Sequence, residues 1–175
     1  MRKLLITLIL LLVLSGCSVD TNQDISANGR YFDMISLLKS NQKFMTSSDN
    51  FDIVGEVAKI NDGYRYYIII DNPHIALYNV EVLAIEEGID YSKSMACNIG
   101  IFEDTPYNLI PNQANVEKGY VKGLSVSGVS QNKNIRLKVL VLWQDKALAN
   151  TYREYFQFNL SFKEAEWCLK RNNPY

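Results

Sequence analysis

The side chains best suited to chemistry are three cysteines, Cys17, Cys97 and Cys168, and a single histidine, His74. One histidine excludes metal sites that are built from several imidazoles. His74 is a candidate general base for a serine or cysteine nucleophile, but it follows Asn72-Pro73 in a predicted turn, where an exposed histidine is ordinary. The chain contains no Gly-x-Ser-x-Gly motif that would supply a serine partner. The sequence therefore predicts no nucleophile and base pair.

Two short fragments are similar to those of penicillin-binding enzymes, in which a lysine activates a serine. Ser36 to Lys39 has the SxxK pattern, and Ser48 to Asn50 reads SDN. The third element of that set, KTG, is absent, and the first two lie only a dozen residues apart. An amphipathic helix followed by a polar stop explains both fragments, so we expect no such activity.

Paired carboxylates are the remaining acid and base candidates. Glu86 and Glu87 are neighbours, and neighbours on a strand point to opposite faces. Glu164 and Glu166 share a face only if the tail is extended, and we expect all four to be solvated. The chain has no zinc-binding HExxH or CxxC motif, no phosphate-binding loop, no GxGxxG and no EF-hand loop. The prediction is a non-enzyme with no cofactor and no metal.

The N-terminus carries the most specific pattern in the chain. Arg2 and Lys3 precede an apolar run from Leu4 to Leu14, interrupted only by Thr7. Eleven helical residues span about 16 Å, roughly half of a bilayer core, so the run is typical of a signal peptide and too short for a transmembrane helix. The run ends in Leu14, Ser15, Gly16 and Cys17. This ending resembles the lipobox of bacterial lipoproteins; the alternative is an ordinary secretory signal with a coincidental cysteine.

The resemblance covers residues 1–17 and implies a lipid anchor. Leu14, Ser15 and Gly16 would be read by the signal peptidase, and the Cys17 thiol would accept a diacylglyceryl group. The freed amine of Cys17 would take a further acyl chain such as palmitate, and two or three chains anchor a protein stably. Ser18, where an Asp tends to retain lipoproteins in the inner membrane, points to the outer membrane in a Gram-negative host. In another host the protein would face outwards from the cell membrane.

The other two cysteines form a candidate disulfide. If Cys17 carries the lipid, Cys97 and Cys168 remain, and an oxidising periplasm would allow them to pair. Such a bridge would close a loop of about 70 residues and contribute roughly 4 kcal/mol in the loop-entropy model. The alternative is two buried free thiols.

The mature chain divides into a polar start and one domain. We predict a signal peptide over 1–16 and a flexible tether over 17–29, because SVDTNQDISANG is small and polar. A leading helix is predicted over 30–50, with the apolar pattern ending before the SSDN cluster. Residues 51–175 are predicted to form the β domain.

Short alternating segments predict an antiparallel β-sandwich of about seven strands. Asp62-Gly63 marks a hairpin turn, and Ile135 to Trp143 is apolar on both faces at its middle, as in a covered central strand. The segment 103–118 is predicted to be a loop or an irregular edge strand. A capping-box pattern from Ser161 to Glu164 allows a short C-terminal helix through Cys168, although Phe162 and Trp167 also suit a strand. The mainly-β layout resembles the Ig-like sandwiches of bacterial envelope lipoproteins.

Tyrosine is abundant, at 11 of 175 residues. Tyrosine suits binding surfaces because it offers a large, rigid ring with one hydroxyl, but it is also a good strand former. Tyr67, Tyr107 and Tyr175 are the candidates for exposed ligand-binding side chains.

Charge narrows the range of partners. The chain has 18 basic and 19 acidic residues and a net charge of −1, which does not favour nucleic acid. The expected role is a membrane-anchored, non-catalytic module that binds another envelope or secretion-machinery protein. The alternatives are a lipoprotein that binds glycan, peptidoglycan or another extracellular ligand, and an envelope hydrolase.

Overall fold

The structure is a computed structural model that describes residues 21–92 and 94–164. Its elements are one helix, α1 (Thr21–Ser40), and the strands β1 (Asp52–Ile60), β2 (Gly63–Asp71), β3 (Tyr78–Glu86), β4 (Cys97–Ile99), β5 (Asn108–Leu109), β6 (Tyr120–Val121), β7 (Gly123–Ser130), β8 (Asn134–Gln144) and β9 (Thr151–Ser161). Within the described ranges, seven strands of three or more residues form two antiparallel sheets. The predicted mainly-β sandwich with an N-terminal helix is confirmed.

The two sheets have the strand orders β1–β2–β7 and β4–β3–β8–β9. The chain crosses between the sheets after β2, after β4 and after β7, as chains do in Ig-like sandwiches. The predicted hairpin joins β1 to β2, with Ile60 opposite Gly63 and two turn residues between them. Gly63 has a φ of 128°, which a side chain would strain, so glycine suits this turn. A short parallel pair joins β5, which lies inside the predicted loop 103–118, to β6, which follows that loop.

Alternation along the strands fills the space between the sheets. Every second side chain of β2 and β8 points inwards, and Ile68, Leu137 and Val139 are fully buried. Phe51 and Phe156 close the core, with their rings 5.9 Å apart. This periodicity of two explains why the strands could be predicted from the sequence.

A second apolar core lies on the outer face of the four-stranded sheet. Helix α1 packs there through Tyr31, Met34, Ile35 and Leu38, against strand residues that include Leu140. The molecule therefore has three layers: the β1–β2–β7 sheet, the four-stranded sheet and the helix. Both faces of β3 and β8 are covered, which agrees with their nearly continuous apolar sequences.

The helix differs from its predicted bounds at both ends. It begins at Thr21, so the predicted flexible tether over 17–29 is corrected for residues 21–29, which are helical. Once a packed face has nucleated a helix, adding residues costs little, even for weak helix formers. The helix also ends at Ser40 and not near residue 50. The following segment is extended because Met45 hydrogen-bonds to the edge of β9, its N–H donating to the Tyr155 carbonyl at 2.8 Å.

Candidate functional site

The outer face of the β1–β2–β7 sheet is the first candidate site, and we call it the open face. Its central row pairs Val54 of β1 with Ile69 of β2, and the next row pairs Glu56 with Tyr67. Val129 of β7 lies opposite Arg65. Directly opposite residues of antiparallel strands point to the same side of a sheet. The open face therefore carries apolar side chains at its centre, with three acidic residues, Asp52, Glu56 and Asp71, and one basic residue, Arg65, beside them.

Exposure distinguishes the open face from the rest of the sandwich. Val54 is 48% exposed and Val129 is 47% exposed, whereas α1 buries the corresponding face of the other sheet. Ser125 and Ser127 of β7 are small, so the Tyr67 and Ile69 side chains beside them stay partly accessible. No element among the described residues packs over this face. Exposed apolar faces of this kind mark interaction sites in soluble proteins.

The edge strands of the two sheets differ in how far other segments cover them. The Met45 segment covers part of β9. Strand β1 is an edge of its sheet for nine residues. Its outward charged residues, Asp52 and Glu56, discourage unspecific pairing with other strands.

A cavity beside Glu81 is the second candidate site, and we call it the Glu81 cavity. Its volume is about 340 Å³, and it lies between the first turns of α1, the start of β3 and the loop 100–106. Three acidic residues line it, Glu81, Glu103 and Asp104, together with one basic residue, Arg30. Glu81 belongs to the face of β3 that α1 covers, and its side chain is only 6% exposed.

An irregularity in β3 places Glu81 against the cavity. Tyr78 pairs with Gln144 but Glu81 pairs with Leu142, so β3 has one extra residue there, a β-bulge. Asn79 has a φ of 49°, and its side chain donates a hydrogen bond to Gln144 Oε1 at 2.6 Å. Bulges commonly redirect side chains beside functional sites. Gly100 allows the opposite wall to approach, since a Cβ there would meet the Val80 carbonyl.

The Glu81 carboxyl group is only half satisfied. Its Oε1 lies 2.7 Å from the Arg30 guanidinium, whose side chain is 51% exposed, while its Oε2 is buried without a hydrogen-bond partner. Burial raises the pKa of Glu81 to about 7, although the adjacent Arg30 acts in the opposite direction. Glu103 contributes to the rise by repulsion, and its Oε2 accepts hydrogen bonds from the backbone N–H groups of Gly100 and Phe102.

Several predicted site residues lie outside the described residues: Leu14, Ser15, Gly16, Cys17, Cys168 and Tyr175. Their assignments, and any helix beyond Glu164, stay predictions. Cys97 is described; it is half-buried at the start of β4, and its Sγ lies 3.3 Å from the Tyr66 hydroxyl. Burial and this contact raise the pKa of Tyr66. Gly128 leaves room for these two side chains, since a Cβ at this position would meet both the Tyr66 hydroxyl and the Cys97 sulfur.

The predicted tyrosines do not form one cluster. Tyr67 lies on the open face, whereas Tyr107 is half-buried against the interior core, with its carbonyl accepting a hydrogen bond from Val80 N–H at 2.8 Å. Tyr175 lies outside the described ranges. The structure therefore separates the two tyrosines that it describes.

The enzyme-like fragments have local structural roles. His74 lies on the surface, with Nδ1 2.9 Å from the Asp49 carbonyl and Nε2 3.6 Å from Asp52. The Ser36 hydroxyl donates to the carbonyl of Phe32 within its own helix. The Ser48 hydroxyl accepts from the Asn50 N–H. None of these contacts joins a base to a nucleophile.

The prediction that the Glu86 side chain is solvated is wrong. It is 6% exposed, and its Oε1 accepts hydrogen bonds from Ser130 Oγ at 2.7 Å and Asn132 Nδ2 at 3.2 Å. Glu87 is partly exposed as predicted and pairs with Arg136 at 2.9 Å. Glu86 ends β3 with its side chain turned into the sandwich, where these polar partners offset its desolvation.

The burial of Glu81 was also not predicted, although the sequence contains a pattern that indicates it. Leu83 and Ile85 follow Glu81 on the same face of β3, and a face that is apolar at its next two positions is normally covered. A carboxylate at the start of such a face was therefore a candidate for burial. The sequence offered no sign that Arg30, 51 residues away, would be its partner.

Metal binding and membrane spanning by a helix were considered as further roles for the described residues. Among the described residues, no group of three or more His, Cys, Asp or Glu side chains could hold a metal ion. The described part of the chain also contains no helix long and apolar enough to cross a membrane. Comparison with protein-family models, with curated proteins and with solved structures finds no match to this chain.

Proposed function

We propose that this protein is a bacterial envelope lipoprotein, anchored through Cys17, that binds another envelope protein through its open face. It acts without catalysis, as an adaptor or assembly module. The observation that carries the proposal is the open face itself, where Val54, Tyr67, Ile69 and Val129 present apolar surface that no described element covers. The lipobox pattern of residues 14–17 supports the anchor.

The size of the open face indicates a weak contact. Three strands about 4.8 Å apart and eight residues long cover roughly 14 by 27 Å, or about 400 Å². Two such faces together bury about 800 Å², less than the 1,200 Å² or more of stable complexes. A weak contact suffices if both partners are held at one membrane, since tethering raises their effective concentration into the millimolar range. The expected partner is therefore a membrane-held protein whose contact surface is flat and apolar at its centre.

The other functions considered have less support. Ligand binding through grouped tyrosines would need Tyr67 and Tyr107 near one groove, and they lie on different sides of the β1–β2–β7 sheet. A hydrolase would need a base beside a nucleophile, and among the described residues His74 contacts Asp49, Asn50 and Asp52, none of which carries a hydroxyl or thiol group.

Crosslinking in cells tests the proposal. A photoreactive phenylalanine analogue would replace Tyr67 on the open face, and Tyr152 on β9, 46% exposed, in a matched control. Mass spectrometry of the crosslinked material should identify one dominant envelope protein with the Tyr67 probe and not with the Tyr152 probe. Equal capture by both probes, or none by either, would contradict the proposed interface.

Valine-to-lysine variants provide an independent test. Val54→Lys and Val129→Lys place a charge on the open face, whereas Val116→Lys does so at a valine that is 86% exposed elsewhere. Both open-face variants should lose the partner while they remain in the membrane fraction, and Val116→Lys should retain it. If Val116→Lys weakens capture as much as the other two, the open face is not the binding surface.

A further inference from the structure

We propose that the Glu81 cavity binds an ammonium group, presented either by a small free amine or by a lysine side chain of a partner. This site is separate from the open face, because Glu81 points to the helix-covered side of the other sheet. The inference does not depend on the proposed adaptor function.

The unsatisfied oxygen of Glu81 favours a cationic ligand. A buried carboxylate oxygen without a hydrogen bond is costly, and such groups are normally paired. Glu81 Oε2 has no partner, and its side chain is more than nine-tenths buried. A cation that carries several N–H donors would supply the missing bond once the carboxyl group turns this oxygen towards the cavity.

The charges that line the cavity also favour a cation. Three carboxylates and one guanidinium line the cavity, so the lining has an acidic surplus. The Glu103 carboxylate accepts hydrogen bonds from the N–H groups of Gly100 and Phe102, which hold it at the wall of the cavity. An anion would be repelled from these walls, and an organic cation would be attracted.

Arg30 already occupies the site as an internal cation. It reaches Oε1 through a single nitrogen at 2.7 Å, and about half of its side chain is in solvent. Moving the Arg30 side chain away from Glu81 therefore costs little free energy. An ammonium group is more compact than a guanidinium and has three rotatable donors, so it can replace Arg30 at the carboxyl group.

The volume of the Glu81 cavity and its uncharged lining residues indicate the class of ligand that it would bind. About 340 Å³ lies at the lower end of small-molecule sites, which suits a short amine or one side chain. Asn79 and Gln144 add amide groups at the rim, which suit a polar ligand. The described residues offer no three-ligand metal group, so the cation we propose is organic.

Isothermal titration calorimetry with the purified full chain tests this site. The probes are cadaverine, as a free amine, and Nα-acetyl-lysine amide, as a lysine side chain. Nα-acetyl-norleucine amide is the matched control because it has the same aliphatic chain without the amine. Salt near 0.15 M suppresses unspecific surface attraction, since it limits the Debye length to about 8 Å. Saturable heat with at least one amine, and none with the norleucine compound, is expected.

Three variants then identify the site. Glu81→Gln should weaken amine binding at least tenfold, and Arg30→Gln should strengthen it several-fold by removing the internal competitor. Glu164→Gln, at an exposed carboxylate outside the cavity lining, should leave it unchanged. Tighter binding of cadaverine would indicate a free amine as the ligand, and tighter binding of the lysine compound a side chain of a partner. No amine binding, equal binding by the norleucine compound, or unchanged binding in Glu81→Gln would overturn the proposal. If Glu81→Gln does not fold, the Arg30→Gln result decides, and weaker binding in that variant would refute the site.

Discussion

Replacing Glu81 by glutamine should make the protein more stable at neutral pH. Glutamine has nearly the shape of a protonated glutamate, so the substitution keeps the packing against α1 and removes the charge. The pKa of Glu81 is about 7 in the folded protein, against an ordinary value of 4.5, because burial disfavours its ionised form. Folding therefore favours the protonated carboxyl group, and ionisation destabilises the folded state.

The sign and size of the effect follow from this difference. Below about pH 4.5 the carboxyl group is protonated whether the chain is folded or unfolded, and wild type and Glu81→Gln should be about equally stable. Between about pH 4.5 and 7 the unfolded state releases its proton first, so wild type loses stability relative to the variant as pH rises. The interval from 4.5 to about 7, at about 1.4 kcal/mol per pH unit, gives a ceiling of about 3.5 kcal/mol. Solvent around the half-exposed Arg30 relaxes the site, so we expect about 2 kcal/mol.

Urea unfolding at a series of pH values from 4.5 to 8 measures this difference. Tryptophan fluorescence can report the transition, because Trp143 is buried in the core. All other titrating groups are common to both proteins and cancel in the difference between their free energies of unfolding. Glu56→Gln, an exposed carboxylate on β1, is the matched control and should follow wild type at every pH.

Two results would refute the reasoning. A difference between Glu81→Gln and wild type that stays constant over this pH range would mean that Glu81 titrates normally. A variant that becomes less stable than wild type as pH rises would mean that the ion pair with Arg30 outweighs the cost of burying Glu81.

Three further predictions can be checked with standard assays. Cys17→Ala should move the protein from the membrane fraction to the soluble fraction, as immunoblotting of fractionated cells would show; unchanged membrane association would exclude the lipid anchor. Peptide mapping without reductant should recover Cys97 linked to Cys168, and free thiols at both positions would contradict the predicted disulfide. Gly128→Ala should lower the free energy of unfolding by about 1–3 kcal/mol, because its Cβ would meet the sulfur of Cys97. Gly29→Ala is the matched control: it lies in α1 with open space around it and should raise stability by up to about 1 kcal/mol in the same urea assay.

The sequence predicted the features that depend on local patterns. A basic start, an apolar run and Cys17 led to the prediction of an exported lipoprotein from residues 1–17 alone, and this stays a prediction because those residues lie outside the described ranges. Alternation with a period of two predicted strands such as β8, and the turn before Gly63 predicted the β1–β2 hairpin. These features could be predicted because strand faces and tight turns are decided by neighbouring residues.

The tertiary structure decided which of the predicted faces are covered. Alternation separates Glu81 from Val80 and Val82, but only the packing of α1 places its side chain in the interior and not in solvent. The same packing leaves the face of Val54 and Tyr67 open. Burial depends on which distant segment lies against a face, and side chains far apart in the chain carry no local signal of that contact. Glu81 and Arg30 meet because a strand and a helix pack together, and this contact creates both the cavity and its unsatisfied carboxylate.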